Sequence, residues 1–174
     1  MAEVKMEKYY QAYDKRYQQI HNLKLQWSSD VVTPILQELT VQFGIRKTDK
    51  ILEIGCGEGR DALWLLEQGY DILATDVSKE AISYCKKKNS KFSHLFFQLD
   101  VCEERLPQTF KFIYSISVIH MLVNQEDRNR FLTFIRDHLD EDGYGLILTM
   151  GDGEYEVTAV SYTHLRAHET KANL

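Results

Sequence analysis

Residues 50–76 read KILEIGCGEGRDALWLLEQGYDILATD, and the spacing within this stretch decides the fold. A short apolar run, 51–54, carries Glu53 and then breaks into glycines at every second position, Gly55, Gly57 and Gly59. Ala62, Leu63 and Leu66 recur at helical spacing until Gly69, and a second apolar run, 72–74, ends at the acid Asp76. Strand, glycine turn, helix, strand and acid make the opening βαβ unit of a nucleoside-binding α/β domain. Alternate glycines let the backbone turn off the strand and approach a ligand where a Cβ would clash. Asp76, 21 residues after Gly55, is placed to accept hydrogen bonds from a ribose diol.

The flanking sequence extends this unit in both directions. Upstream, Met6, Tyr9, Tyr10, Tyr13, Tyr17 and Ile20 follow helical spacing over residues 3–20. Thr33 as N-cap and Pro34 at the first helical position start a second helix, with Ile35, Leu36, Leu39 and Phe43 on one face and Gly44 at its end. Downstream, Ser78 is an N-cap for a helix that presents Ala81, Ile82 and Cys85 inward and ends in three lysines, which suit the helix dipole. Residues 95–99 form a third strand that delivers Asp100 to its tip. The long apolar run 110–118 forms a fourth, with the near-continuous hydrophobicity of a strand buried on both faces. Asn124 caps a helix bearing Phe131, Leu132, Ile135 and Leu139 that stops at Gly143, and residues 144–150 form the fifth strand. Strands alternating with helices imply a parallel sheet with right-handed crossovers.

At 174 residues the chain has room for one domain with a sizeable core, and 44% apolar with 27% charged residues is ordinary for a globular protein. A formal charge of −5 offers no general attraction for nucleic acid or acidic membranes. No apolar run approaches the length of a membrane span, and the polar start is no signal peptide. Cys56, Cys85 and Cys102 are scattered, which suits a reducing cytoplasm and argues against a zinc site or a disulfide frame.

Position 60 separates two nucleoside-binding readings. The dinucleotide fingerprint Gly-x-Gly-x-x-Gly needs its third glycine there, and the residue is Arg60. The string Glu53-x-Gly55-x-Gly57-x-Gly59 instead resembles the first motif of the class I S-adenosylmethionine-dependent methyltransferases, and the resemblance continues from about Tyr9 to Met150. It implies a Rossmann-like, doubly wound parallel sheet that here lacks the last two strands of the seven-stranded family fold. It also implies a role for each matching residue. Glu53, Gly55, Cys56, Gly57 and Gly59 would wrap the methionine part of S-adenosyl-L-methionine; Asp76, followed by Val77, would hold the ribose hydroxyls; Asp100 and Val101 would recognise adenine. Ser117 and His120, in SISVIHML after the fourth strand, fall where the family lines its methyl-transfer site, with His120 as a general-base candidate. Tyr13, Tyr17 and Trp27 would lie over the cofactor. Lys111 departs from the acid that relatives often carry at the start of the fourth strand. With no Asn-Pro-Pro-Tyr motif and no catalytic-type cysteine beside a proline, a small-molecule acceptor is expected rather than DNA. Two other functions stay open on the residues: a fragment that binds cofactor without catalysis, and a NAD-dependent oxidoreductase, which Arg60 disfavours.

The end of the chain changes character. VSYTHLRAHET, residues 160–170, resembles the translation of a transposon-end adapter used in DNA library preparation. That resemblance implies a non-native tail at 160–174, and the methyltransferase resemblance divides the rest into a helical cap at 1–45 and an incomplete cofactor-binding core at 46–159. Reading His164 and His168 as a helical metal pair finds no third ligand nearby.

Overall fold

The computed structural model describes residues 8–149. Met6, Met150 and the 160–174 tail lie outside the described residues. Five strands, β1 (Lys50–Ile54), β2 (Asp71–Asp76), β3 (Phe96–Gln98), β4 (Phe110–Ile116) and β5 (Leu139–Leu148), form one parallel sheet in the order β3-β2-β1-β4-β5. Strand order reverses between β1 and β4, so their diverging loops open a crevice at the carboxyl ends of the strands. Helices α2 (Pro34–Gln42), α3 (Arg60–Glu67) and α4 (Lys79–Lys88) bring Leu36, Leu65 and Ile82 to one core cluster, which also takes Ile51, Phe112 and Tyr114 from the sheet. The opposite cluster joins Leu52, Ile54 and Ile113 to Phe131, Phe134 and Ile135 of α5 (Gln125–His138). Ile51 and Leu52 thus face opposite layers, as the two-residue period of a strand requires. No helix among the described residues is long and apolar enough to cross a membrane.

The N-terminal region forms a 3-10 turn, Tyr9–Ala12, and then α1 (Tyr13–Asn22). Ser78 caps α4 as its sequence implies, its hydroxyl accepting from the Ala81 N–H at 3.1 Å. Thr33 differs: its hydroxyl makes no cap and donates at 2.8 Å to Asp61 of α3, tying α2 to α3. The α5 helix ends at His138, before Leu139 and short of the stop expected at Gly143. His138 is pinned there, Nδ1 lying 2.7 Å from the Phe134 carbonyl oxygen and Nε2 accepting from the Leu106 N–H at 3.0 Å. Leu139 then pairs with Phe110, and the chain bulges over 140–143 before Tyr144 rejoins the ladder opposite Phe112. The fourth strand stops at Ile116, two residues short of the apolar run's end, because Ser117 takes a left-handed conformation with φ of 60°.

Candidate functional site

The β1 ladder continues into the glycine turn, where the N–H groups of Gly55 and Cys56 both donate to the Thr75 carbonyl at 2.8 and 2.9 Å. The next N–H, Gly57, donates to Asp76 Oδ2, and Ser78 N–H donates to Asp76 Oδ1, both at 2.8 Å. One carboxylate therefore binds both loops at the mouth of the crevice. Burial pushes the Asp76 carboxyl up, and these two backbone donors partly offset the effect. A Cβ on Gly55 would stand 2.2 Å from Val118 Cγ2, and one on Gly57 would stand 2.7 Å from the Tyr17 hydroxyl, with φ positive at both positions. The glycines leave room for elements packed over the turn.

These strand tips surround a cavity of about 630 Å³. Of the residues singled out in the sequence, Glu53, Gly55, Cys56, Gly57, Asp76, Val77, Asp100, Val101, Ser117 and His120 all line it, and Tyr13, Tyr17 and Trp27 line it from the N-terminal side. Gly59 does not. It begins α3 at φ of 81°, and a Cβ there would meet Cys85 Sγ at 3.0 Å and the Phe96 ring at 3.1 Å. Its lack of a side chain serves packing beneath the turn. Gly59→Ala is expected to cost about 1–3 kcal/mol of stability through overpacking and the left-handed backbone, measured by urea unfolding.

Three polar groups of the cavity stand out. Glu53 is fully buried, its Oε2 has no hydrogen-bond partner among the described residues, and burial, followed by the neighbouring Asp61, pushes its carboxyl up to about 8. His120 directs Nδ1 to the Thr149 hydroxyl at 3.2 Å, while its buried Nε2 is without a partner among the described residues. Ser117, with φ of 60°, holds its own N–H on the Leu148 carbonyl at 2.8 Å. A non-glycine residue there stores strain of order 1–3 kcal/mol, a feature that clusters at functional sites.

The region before α2 closes over the cavity through contacts that the sequence does not advertise. Asp100, expected to read adenine, also accepts from the Tyr10 hydroxyl at 3.1 Å and from Gln11 Nε2 at 3.1 Å, and its Oδ1 accepts from the Cys102 N–H at 3.0 Å. Asp14 accepts from the Ser78 hydroxyl and the Glu80 N–H, both at 2.8 Å, and so supplements the cap of α4 from another helix. Glu58, inside the glycine string, accepts from Trp27 N–H, Ser28 N–H and the Ser28 hydroxyl at 2.8–2.9 Å. Burial would raise the Glu58 carboxyl, but these donors outweigh it and hold it below the usual range. His21 sits between Glu58 and Glu80 at 3.0 and 2.9 Å and stacks on Tyr84. Only its helical position marks α1 in the sequence; the polar partners lie roughly 30 to 90 residues away, beyond any local spacing.

The chain is similar in sequence and fold to known proteins. The model of a family described as a methyltransferase domain matches residues 51–143. A Haemophilus influenzae protein named "Probable S-adenosyl-L-methionine-dependent methyltransferase TehB" is 29% identical over 103 residues, 57% of this chain and 35% of its own length. The structure of a TehB-like SAM-dependent methyltransferase from Corynebacterium glutamicum matches at 25% identity with a TM-score of 0.54, over 78% of this chain and 69% of that one. The glycopeptide N-methyltransferase MtfA, at 21% identity, shares the fold with a TM-score of 0.62 over 80% of this chain and 62% of its own. The chain spans between 35% and 47% of the length of the curated relatives it matches.

Proposed function

Because the chain belongs to the methyltransferase domain family, whose model covers residues 51–143, we propose that it transfers a methyl group from S-adenosyl-L-methionine to a small-molecule acceptor. The observation that carries the reading is convergence: Glu53, Asp76, Asp100 and Ser117, from four separate segments, meet at one cavity at the carboxyl ends of the strands. The residues fit the cofactor. Gly55 and Gly57 add no side chain of their own to the turn, over which Val118 and Tyr17 pack, and the buried Oε2 of Glu53 and Nε2 of His120 are polar atoms without a hydrogen-bond partner among the described residues. When bound, S-adenosylmethionine supplies a methyl group already activated on a sulfonium.

Each element of the chain then has a distinct task. Asp76 would accept from the ribose hydroxyls while keeping the glycine turn on its Oδ2. Asp100, with the Val101 N–H, would take the adenine edge, sharing its carboxylate with Tyr10 and Gln11. Tyr13, Tyr17 and Trp27, packed edge to face and tilted with centroids 5.8–6.0 Å apart, would keep water from the reacting centre. Alignment and exclusion of water of this kind are worth up to ~7–11 kcal/mol. His120 Nε2 would receive the proton of an acceptor that must lose one.

His120→Gln is expected to lower turnover about 10²–10⁴-fold while cofactor affinity stays unchanged. The measurement is methyl transfer from labelled cofactor to an acceptor found by screening, beside a binding titration; unchanged turnover would remove the base assignment. A net charge of −5 favours a small acceptor over nucleic acid, and the scattered Cys56, Cys85 and Cys102 suit a cytoplasmic enzyme. The division into a cap at 1–45, a core at 46–159 and a non-native tail at 160–174 belongs to the same proposal. Sequencing a fresh clone of the gene through codon 160 tests its last part, and an in-frame genomic continuation of the same tail would contradict it.

A further inference from the structure

We propose that Thr149, just past β5, is the positioning residue of His120: it takes the Nδ1 hydrogen, so that Nε2 meets the cavity as a bare lone pair. This rests on the methyl-transfer reading above and adds to it a residue that no motif marks in the sequence.

His120 lines the cavity from a short 3-10 turn, Ile119–Met121, and its ring is restrained by neighbouring elements. Ile116 and Leu148 are the last register pair of β4 and β5, and the two segments stay joined beyond it. The Ser117 N–H donates to the Leu148 carbonyl at 2.8 Å, and His120 Nδ1 then lies 3.2 Å from the Thr149 hydroxyl. The sheet is thus prolonged toward the cavity first through backbone and then through side chains. From the other side the Tyr13 hydroxyl donates to Met121 Sδ at 2.7 Å, which holds the same turn against α1.

A neutral imidazole carries one N–H and one bare nitrogen, and the hydrogen bond made by one nitrogen decides the state of the other. The Thr149 hydroxyl is able to donate or accept, so two arrangements compete. In the first it donates to Nδ1, which puts the ring hydrogen on Nε2. That nitrogen is buried and has no partner among the described residues, so an N–H would be orphaned there. In the second, Nδ1–H donates to Thr149, and Nε2 buries only a lone pair. Orphaned buried N–H groups are the rarer fault in folded proteins, and under-used acceptors are better tolerated. Thr149 is exposed, so its own hydroxyl hydrogen finds water. The second arrangement leaves no ring N–H unpaired, and it is also the one in which Nε2 is able to receive a proton. After that transfer both ring nitrogens are donors and Thr149 still accepts from Nδ1, so the positioning bond survives the step.

The rival role for Thr149 is that of a surface residue at the end of a strand, and the ring tautomer separates the two. Two-bond proton–nitrogen NMR spectra of the isotope-labelled protein at alkaline pH read the tautomer, with the His120 signals assigned as those missing in His120→Gln. The wild type is expected to carry the ring hydrogen on Nδ1; Thr149→Val should lose that preference and Thr149→Ser should keep it. With an acceptor found by screening, Thr149→Val should lower turnover by up to about 100-fold at unchanged cofactor affinity, and Thr149→Ser should restore it. In the His120→Gln background, Thr149→Val should cost nothing further. A wild type with the hydrogen on Nε2, a tautomer unaltered in Thr149→Val, or a loss that adds to that of His120→Gln would overturn the assignment. The wild-type spectrum decides even if Thr149→Val fails to fold. Failure of the methyl-transfer reading shows separately, as no uptake of S-adenosylmethionine, and leaves the tautomer to decide the role of Thr149.

Discussion

Asp76→Ala is expected to cut the affinity for S-adenosylmethionine by at least about a hundredfold, since each hydrogen bond to a charged group contributes about 1.5–3 kcal/mol and two ribose hydroxyls are lost together. The loss has a second source within the protein. Asp76 receives the N–H groups of Gly57 and Ser78 at 2.8 Å, so its removal frees the glycine turn and the start of α4 at once. Each buried N–H left unpaired costs about 1–3 kcal/mol. Relief of the buried charge offsets part of that cost, because burial already pushes the Asp76 carboxyl up. The variant should therefore melt only modestly lower than the wild type while losing nearly all binding. Calorimetric titration beside a thermal melt checks both parts. Retention of wild-type affinity would remove Asp76 from the site.

Glu53→Gln should separate stability from function in the opposite direction. Glu53 is buried without a partner for Oε2, and its carboxyl is held at about 8 against 4.5 for an ordinary glutamate. Between those values the folded chain keeps a proton that the unfolded chain has released. Protonation then favours the folded state, so stability falls as pH rises through that window, by up to about 1.4 kcal/mol for each pH unit. Glutamine carries no such proton. Wild type and variant should match below about pH 4.5, and the variant should be the more stable by several kcal/mol at pH 8, while binding S-adenosylmethionine more weakly. Denaturant unfolding at pH 4.5, 6 and 8 reads the difference directly. A variant no more stable at pH 8 than the wild type would show that Glu53 is satisfied in the ligand-free protein. A destabilising carboxylate kept at a ligand site is the usual exchange of stability for function.

The strand tips were legible because local patterns report them. Alternate glycines after an apolar run, and acids closing the second and third runs, place Glu53, Asp76 and Asp100 at one edge of any parallel sheet. Where the reading of the chain and the fold diverge, a distant partner is responsible. Leu139 continues the apolar period of α5, yet it pairs with Phe110 of β4, and tertiary pairing overrides the local period. Val118 continues the apolar run of β4, yet the left-handed Ser117 has already turned the chain, and Val118 instead closes against Gly55. Gly59 matches the cofactor motif by spacing but serves the contact with Cys85 and Phe96. Glu58 had no spacing signal at all, because its donors, Trp27, Ser28 and His21, precede it by some 30 residues or more. Arg60 was visible only as a misplaced glycine, until Asp61 and Thr33 showed how its guanidinium is held.

The central claim, that the cavity at the strand tips takes S-adenosylmethionine, is tested most directly by calorimetric titration of the 174-residue protein with S-adenosylmethionine and, separately, with NAD. Saturable one-to-one binding of S-adenosylmethionine and no heat from NAD is the predicted result. Binding of NAD, or a folded protein that takes up no S-adenosylmethionine, would contradict it.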